Sequence, residues 1–306
     1  MEDKTLPLGA YSAAIEHAIG PEAWTGGVAP FAEAVALCPI GVFDSGIGGL
    51  SIVCEIRRQL PSEDLLFYGD NANIPYGARS DEWLRARSLE IADFLLANGA
   101  KAIVVACNTA SAAGLEHLRA RHNVPIVGLV PAVKPAVAAT KSKSIGVLAT
   151  QGALRGRLLT DVIERFATPQ GVTVVTMAEP GLVEAVERGD LGSADARQSV
   201  ARALGPMKQR GVDTIVLGCT HYPFLADLIT SVAGEGVQII DSSQGVARQT
   251  RHVLEARGIL RPQKGAKRGE LTVYTSADPD KMRSLVWRLV GEEVEVLPGW
   301  TSGHQV

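Results

Sequence analysis

Eight short apolar runs, all but one closing on a small or polar residue, alternate with longer stretches of helical periodicity. That alternation leaves few architectures open. The runs are IGVFDS (40–45), DLLFYGD (64–70), AIVVACN (102–108), VPIVGLV (124–130), SIGVLAT (144–150), VTVVT (172–176), DTIVLGC (213–219) and VQIID (237–241). Each has the length of a strand and is apolar nearly throughout, as strands buried on both faces are. Between them lie stretches such as DEWLRARSLEIADFLLANG (81–99), apolar at helical spacing and stopped by Gly. Strands alternating with helices predict an α/β fold of mainly parallel sheets with crossover helices. In such sheets ligands collect beyond the carboxyl ends of the strands, which is where the unusual residues of this chain stand.

The chain also repeats itself. IGVFDSGIGGL (40–50) matches IGVLATQGALR (145–155), and IVVACNTAS (103–111) matches IVLGCTHYP (215–223), with nearly equal intervals in the two halves. A repeat this long is not a solenoid unit. It predicts two similar α/β domains. If a pseudo-twofold axis relates them, equivalent strand ends face each other across one cleft, and Cys107 and Cys219 view the same ligand from opposite sides.

Composition narrows the function classes. A net charge of −3 gives no footprint for direct nucleic-acid binding or for an anionic membrane. No run approaches the roughly 18 apolar residues of a membrane span. The first 20 residues lack the charge pattern of a secretory signal. Four cysteines, at 38, 54, 107 and 219, are too few and too scattered for a disulfide framework, and no CxxC pair marks a zinc site, so no metal is expected. The expected compartment is the reducing cytoplasm. RPQKGAKRG (261–269) reads as a solvated linker, and LVPAVKPAV (129–137) as a hinge between the halves.

A free Cys is more often a small buried hydrophobe than a nucleophile, and Cys38 and Cys54 read that way. Cys107 and Cys219 differ, because each ends a strand and is followed by polar residues, Asn108-Thr109 and Thr220-His221. Nearby donors and a helix start would lower such a thiol from about 8.5 toward neutrality. Two opposed thiols could form a redox disulfide, or one could act as a nucleophile with His221 as its base. As an acid–base pair, one thiolate removes a carbon-bound proton while the other thiol protonates the opposite face. Only the last use needs both cysteines. His221 is expected to stabilise the Cys219 thiolate or move its proton. FDSGIGGLS (43–51) is not a dinucleotide fingerprint, since Ser51 stands where the third Gly is required. It predicts a turn whose amides, with Ser45, hold a carboxylate. Asp44 would bind an ammonium group or orient Cys107, or else act as a simple capping residue.

Taken together, DSGIGGLS, GDNANIPYG, ACNTAS, LVPAVKPA and LGCTHYPFL, in that order over roughly residues 40–300, resemble the glutamate racemase family. The chain departs from the family pattern at Asn71, where Thr is common, and at Glu179-Pro180, where Cys-Pro is common. The resemblance implies a cofactor-independent racemase that interconverts L- and D-glutamate and supplies D-glutamate for peptidoglycan. Cys107 and Cys219 match the catalytic cysteines, acting on D- and L-glutamate respectively, assisted by Asp44 and His221. Asp44, Ser45, Tyr76, Gly77, Asn108, Thr109, Thr150, Glu187, Thr220 and His221 match substrate-site positions. The implied organisation is an extension over 1–38, a first domain of 39–131 plus 240–306, and a second domain of 132–239, with the site in the cleft. The extension would be a helix over the domain interface, an effector-responsive segment, or disordered. The family's habits imply a homodimer. Two alternatives remain open from the residues: an aspartate-type racemase or related lyase, and a binding or regulatory protein without turnover.

Overall fold

The computed structural model describes residues 28–263 and 267–299. All eight apolar runs are strands: β1 (Ile40–Asp44), β2 (Leu65–Gly69), β3 (Ala102–Val105), β4 (Ile126–Gly128), β5 (Ser144–Ala149), β6 (Thr173–Met177), β7 (Thr214–Gly218) and β8 (Gln238–Asp241). Two further strands, β9 (Leu271–Thr275) and β10 (Glu295–Pro298), follow near the C-terminal end.

The strands form two sheets, ordered β10-β9-β2-β1-β3-β4 and β6-β5-β7-β8, and every pairing is parallel. The order β2-β1-β3-β4 of the first recurs as β6-β5-β7-β8 in the second. The repeat seen in sequence is thus a repeat of topology, and it sets Cys107, just past β3, equivalent to Cys219, just past β7. The central strands β1, β3, β5 and β7 are buried throughout. They lack polar alternation because helices cover both faces.

The chain leaves the first sheet through Leu129–Ala132 into the helix Val133–Ala139. It returns after β8 through the helix Ser243–Ala256, which packs on the helix Leu50–Gln59 of the first unit. The Ser242 hydroxyl donates to the Val130 carbonyl at 2.9 Å, tying the two crossing segments together. Because β8 runs to Asp241, a boundary between residues 239 and 240 cuts the last strand of the second sheet. The return begins at Ser242.

Of the N-terminal extension, residues 1–27 lie outside the described residues. The rest forms the helix Val28–Leu37, whose Phe31, Ala34 and Val35 are buried. It docks at the amino ends of the first sheet's strands. There the Lys101 ammonium, next to the start of β3, donates to the Ala36 carbonyl at 2.7 Å and to Glu63 Oε2 at 2.5 Å. This part of the extension therefore sits at the end of the sheet opposite the cleft, and not over the domain interface.

Candidate active site

A cavity of about 590 Å³ opens between the two units at the carboxyl ends of their strands. From the first unit, Ser45 comes off β1, Cys107, Asn108 and Thr109 off β3, and Tyr76 and Gly77 from the turn after β2. From the second, Thr150 comes off β5, Cys219, Thr220 and His221 off β7, and Glu187 from the end of the helix Gly181–Glu187. Eleven of the twelve residues singled out in sequence therefore line one cavity. Asp44 does not. It lies beneath the wall, fully buried. Arg155, which sequence reasoning passed over, also lines the cavity, and its guanidinium donates to the Gly77 carbonyl at 2.7 Å across the cleft.

Asp44 is a hub. Its Oδ1 accepts from the Ser45 amide at 2.7 Å, and its Oδ2 accepts from the Gly49 amide at 2.6 Å and the Thr220 hydroxyl at 3.1 Å. The glycine-rich turn does hold carboxylates, but they are the protein's own. The Ile47 amide donates to Glu187 Oε1 at 2.8 Å. The glycines serve close approach: a Cβ on Gly46 would stand 2.1 Å from Glu187 Oε1, and one on Gly48 2.3 Å from His221 Nδ1. That role for the motif was not legible from spacing. Burial pushes the Asp44 carboxyl above its ordinary range, and the His221 ring and the Ser45 amide pull against the shift.

The two thiols have different neighbours. Cys107 caps the helix Asn108–Arg121 and reaches the Ser45 hydroxyl at 3.8 Å. The expectation that a helix start would lower this thiol fails. Burial, followed by the nearby Asp44 carboxylate, pushes Cys107 well above the usual thiol range and outweighs the Ala110 amide and Ser45. Cys219 is followed by the short 3-10 turn Tyr222–Leu225, and its sulfur lies 3.6 Å from His221 Nδ1. The other ring nitrogen of His221 lies 2.7 Å from Glu187 Oε1. Burial alone would lower His221; hydrogen bonds to Cys219 and Glu187 reverse this and hold its pKa well above the ordinary imidazole value. Burial likewise works against the Glu187 carboxylate, yet the His221, Ile47 and Asn71 donors keep it below its usual range.

Polar contacts also close the rim. Thr109 Oγ1 and Thr150 Oγ1 meet at 3.0 Å, and Ser51 donates to the Thr220 carbonyl at 2.9 Å. The Tyr76 hydroxyl is committed to Asp70 at 2.6 Å, and Asp70 is clamped by Arg87 through bonds of 2.7 and 2.8 Å. Tyr76 therefore shapes the wall through its ring. Asn108 Oδ1, by contrast, is buried in the wall with no partner. A buried polar atom left so is costly unless a ligand or water meets it. Among the described residues, no group of three His, Cys, Asp or Glu side chains could hold a metal ion, and no helix is long and apolar enough to cross a membrane.

This arrangement, two buried thiols flanking one cavity with a carboxylate hub behind one and an imidazole–carboxylate pair behind the other, suits proton removal and return on opposite faces of a small acid. Residues 40–250 match the Asp/Glu/Hydantoin racemase family. The glutamate racemase of Deinococcus radiodurans is 52% identical over 251 residues, covering 82% of this chain and 86% of that protein. The crystal structure of glutamate racemase isoform RacE1 from Bacillus anthracis superposes with a TM-score of 0.77 at 34% identity, covering 85% of this chain and 97% of that one. Escherichia coli glutamate racemase, solved in complex with L-glutamate and the activator UDP-MurNAc-Ala, gives 0.74 at 31% identity, covering 85% and 97%. The chain belongs to the Asp/Glu/hydantoin racemase family, and within it to the glutamate racemases.

Proposed function

We propose that the protein interconverts L- and D-glutamate by a two-thiol acid–base reaction without a cofactor. The observation that carries this reading is the placement of Cys107 and Cys219 at equivalent strand ends of a repeated topology, both on the wall of one cavity. A thiolate on one side takes the α-proton; the C–H bond breaks, an S–H bond forms, and the electron pair stays on the α-carbon. The opposite thiol then gives its proton to the other face, leaving a thiolate there. One proton has moved across the substrate, and exchange with water restores the starting state.

The α-proton is a far weaker acid than a thiol, so the carbanion needs support. Preorganised donors in a water-poor site are commonly the largest catalytic contribution. Thr109, Thr150 and the Asn108 amide are placed to supply them to the α-carboxylate. The orphan Asn108 Oδ1 can accept from the α-ammonium. His221 assists at Cys219 as a proton donor poised by Glu187. Asp44 acts at Cys107 through its charge and through Ser45. It is a positioning residue with no surface toward the ligand. The assignment of Cys107 to D-glutamate and Cys219 to L-glutamate, the supply of D-glutamate for peptidoglycan, a cytoplasmic location and a homodimer complete the reading, supported by the family resemblance.

The test is incubation with D- and L-glutamate, and with aspartate, in heavy water, following racemisation by circular dichroism and α-proton loss by NMR. Racemic, deuterated glutamate is the expected product from both enantiomers, with Cys107→Ala and Cys219→Ala each abolishing it. A single mutant with full turnover would sink the two-thiol reaction. Exchange confined to aspartate would overturn the substrate.

A further inference from the structure

Glu187 is a point where the two units meet, and the first unit holds it through the Ile47 amide and Asn71. Its Oε1 is taken by His221 Nε2 and the Ile47 amide. Its Oε2 accepts from Asn71 Nδ2 at 2.9 Å. Asn71 opens the short turn Asn71–Asn73 after β2, and its Oδ1 accepts from the Thr275 hydroxyl at 3.1 Å, at the end of β9. Thr275 Oγ1 itself accepts from the Ala277 amide at 3.2 Å, so its single proton is directed at Asn71. The amide of Asn71 can then face only one way, carbonyl to Thr275 and NH₂ to Glu187.

We propose that Asn71, oriented by Thr275, is a positioning residue that fixes the Glu187 carboxylate against His221 and so sets the proton chemistry on the Cys219 side of the cleft. The inference rests on the two-thiol reading. With Oε2 unheld, the carboxylate can turn about its terminal torsion, which is broad for Glu, and lose its alignment with the imidazole. The hydrogen bonds run Thr275, Asn71, Glu187, His221, Cys219. Asn71 and Thr275 belong to the first unit and the rest to the second, so the line is complete only when the units are together. The other charged groups facing this line are few. Asp44 and Cys219 act on His221, and Arg188, Asp280, Lys281 and Arg288 border an open groove on the outer side of Glu187. The carboxylate's hydrogen bonds come from His221, Ile47 and Asn71, and none of these four groove residues substitutes for Asn71.

The experiment reads His221 directly, by ¹⁵N-histidine NMR titration of the full chain, with His221→Gln used to assign its signal. Asn71→Leu removes the donor at similar size, and Thr275→Val removes only the orienting hydroxyl. The expected result is a fall in the His221 midpoint of about one pH unit for Asn71→Leu and a smaller fall for Thr275→Val, in the order their distance along the line dictates. kcat/KM should drop roughly tenfold for Asn71→Leu, the scale of one hydrogen bond to a charged group. The drop must be equal in both directions, because enantiomers have equal free energy, while kcat and KM separately need not change equally. An unmoved His221 midpoint in folded variants overturns the proposal whatever the activity does. Should Asn71→Leu fail to fold, Thr275→Val decides alone. A His221 shift in a protein whose wild type racemises nothing would support the positioning and refute the reaction.

Discussion

Gly48→Ala presses directly on the imidazole beside Cys219. The added Cβ would stand 2.3 Å from His221 Nδ1 and 2.7 Å from Cε1 and Cγ of the same ring. Relaxed heavy-atom contact needs about 3.5 Å, so ring and backbone must separate by roughly 1 Å. Gly48 is not among the glycines with positive φ, so alanine meets no intrinsic backbone penalty there and the effect isolates the contact. The ring has little freedom to retreat. It is 2% exposed and bonded to Glu187 at 2.7 Å, which is itself held by Ile47 and Asn71. Either His221 shifts from Cys219 or the two units part, and both degrade the alignment on which proton transfer depends. A displacement of 1 Å at a catalytic group commonly costs about 10²-fold, and overpacking of this kind costs about 1–3 kcal/mol of stability. The assay is racemisation by circular dichroism beside urea unfolding, with Gly245→Ala as control. Gly245 lies in the exposed start of the helix Ser243–Ala256, where the nearest atom to a new Cβ is 4.0 Å away. kcat/KM of Gly48→Ala within about threefold of wild type, at unchanged stability, would refute the reasoning that cross-cleft approach fixes His221.

Two further predictions concern stability away from the cleft. Lys101 and Glu63 are both essentially unexposed and meet at 2.5 Å. Lys101→Met should cost about 3–5 kcal/mol in urea unfolding by stranding Glu63, with part regained in the Lys101→Met/Glu63→Gln double variant; a single-mutant cost below about 1 kcal/mol contradicts this. Asp213 accepts from the Thr140 hydroxyl at 2.6 Å and from the Lys141 and Ser142 amides, each at 2.7 Å. Burial opposes its ionised form, but these donors win and hold its folded pKa below the unfolded value. A depressed carboxylate contributes stability that is present above the unfolded pKa, about 3.9, and lost as pH falls through the folded pKa. Asp213→Asn should therefore cost about 1.5–3 kcal/mol at pH 7, and the gap to wild type should narrow steadily as pH falls below about 4. A gap constant with pH would show that the charge is not what the turn holds.

How much of this was legible in the sequence depends on range. Strands announced by unbroken apolar runs were all found, because burial on both faces leaves no polar alternation to obscure them. β9 was not, since LTVYT alternates buried and half-buried residues and follows a Gly- and Lys-bearing stretch that reads as linker. β10 is four residues long and ends in Pro298. Most of the cavity wall was legible because its residues lie directly at strand ends, where position follows from the strand; Tyr76 and Gly77 on a turn and Glu187 at a helix end came only through the family resemblance. Of what lies one contact behind the wall, Asp44, the last residue of β1, was legible, and the rest was not. Asn71 stood out only as a departure from the family pattern, and its partners Glu187 and Thr275 are 116 and 204 residues away. The reason for Gly46 and Gly48 is hidden in the same way, because the atoms they make room for belong to the other half of the chain.

That distinction bears on why a repeated fold carries unrepeated chemistry. The backbone places Cys107 and Cys219 at equivalent positions, yet Asp44 and Ser45 stand behind the first and His221 and Glu187 behind the second. The position in the second half that matches Asp44 in the first is Ala149, as the alignment of IGVFDS with IGVLAT shows. A ligand with a stereocentre is not symmetric under the relation between the halves, since its ammonium, carboxylate and side chain must each be held once while only the α-proton changes side. Two identical half-sites would therefore serve such a substrate poorly. In this structure the Asp44 charge and the Ser45 hydroxyl beside Cys107 come from its own unit, with the Thr220 hydroxyl reaching Asp44 from the other. The His221–Glu187 pair beside Cys219 is instead completed by the Ile47 amide and by Asn71 of the opposite unit. Separation of the units should accordingly disturb the Cys219 side more than the Cys107 side. The rim contacts between Thr109 and Thr150 and between Arg155 and Gly77 then limit how far the units can part before that half of the proton path is lost.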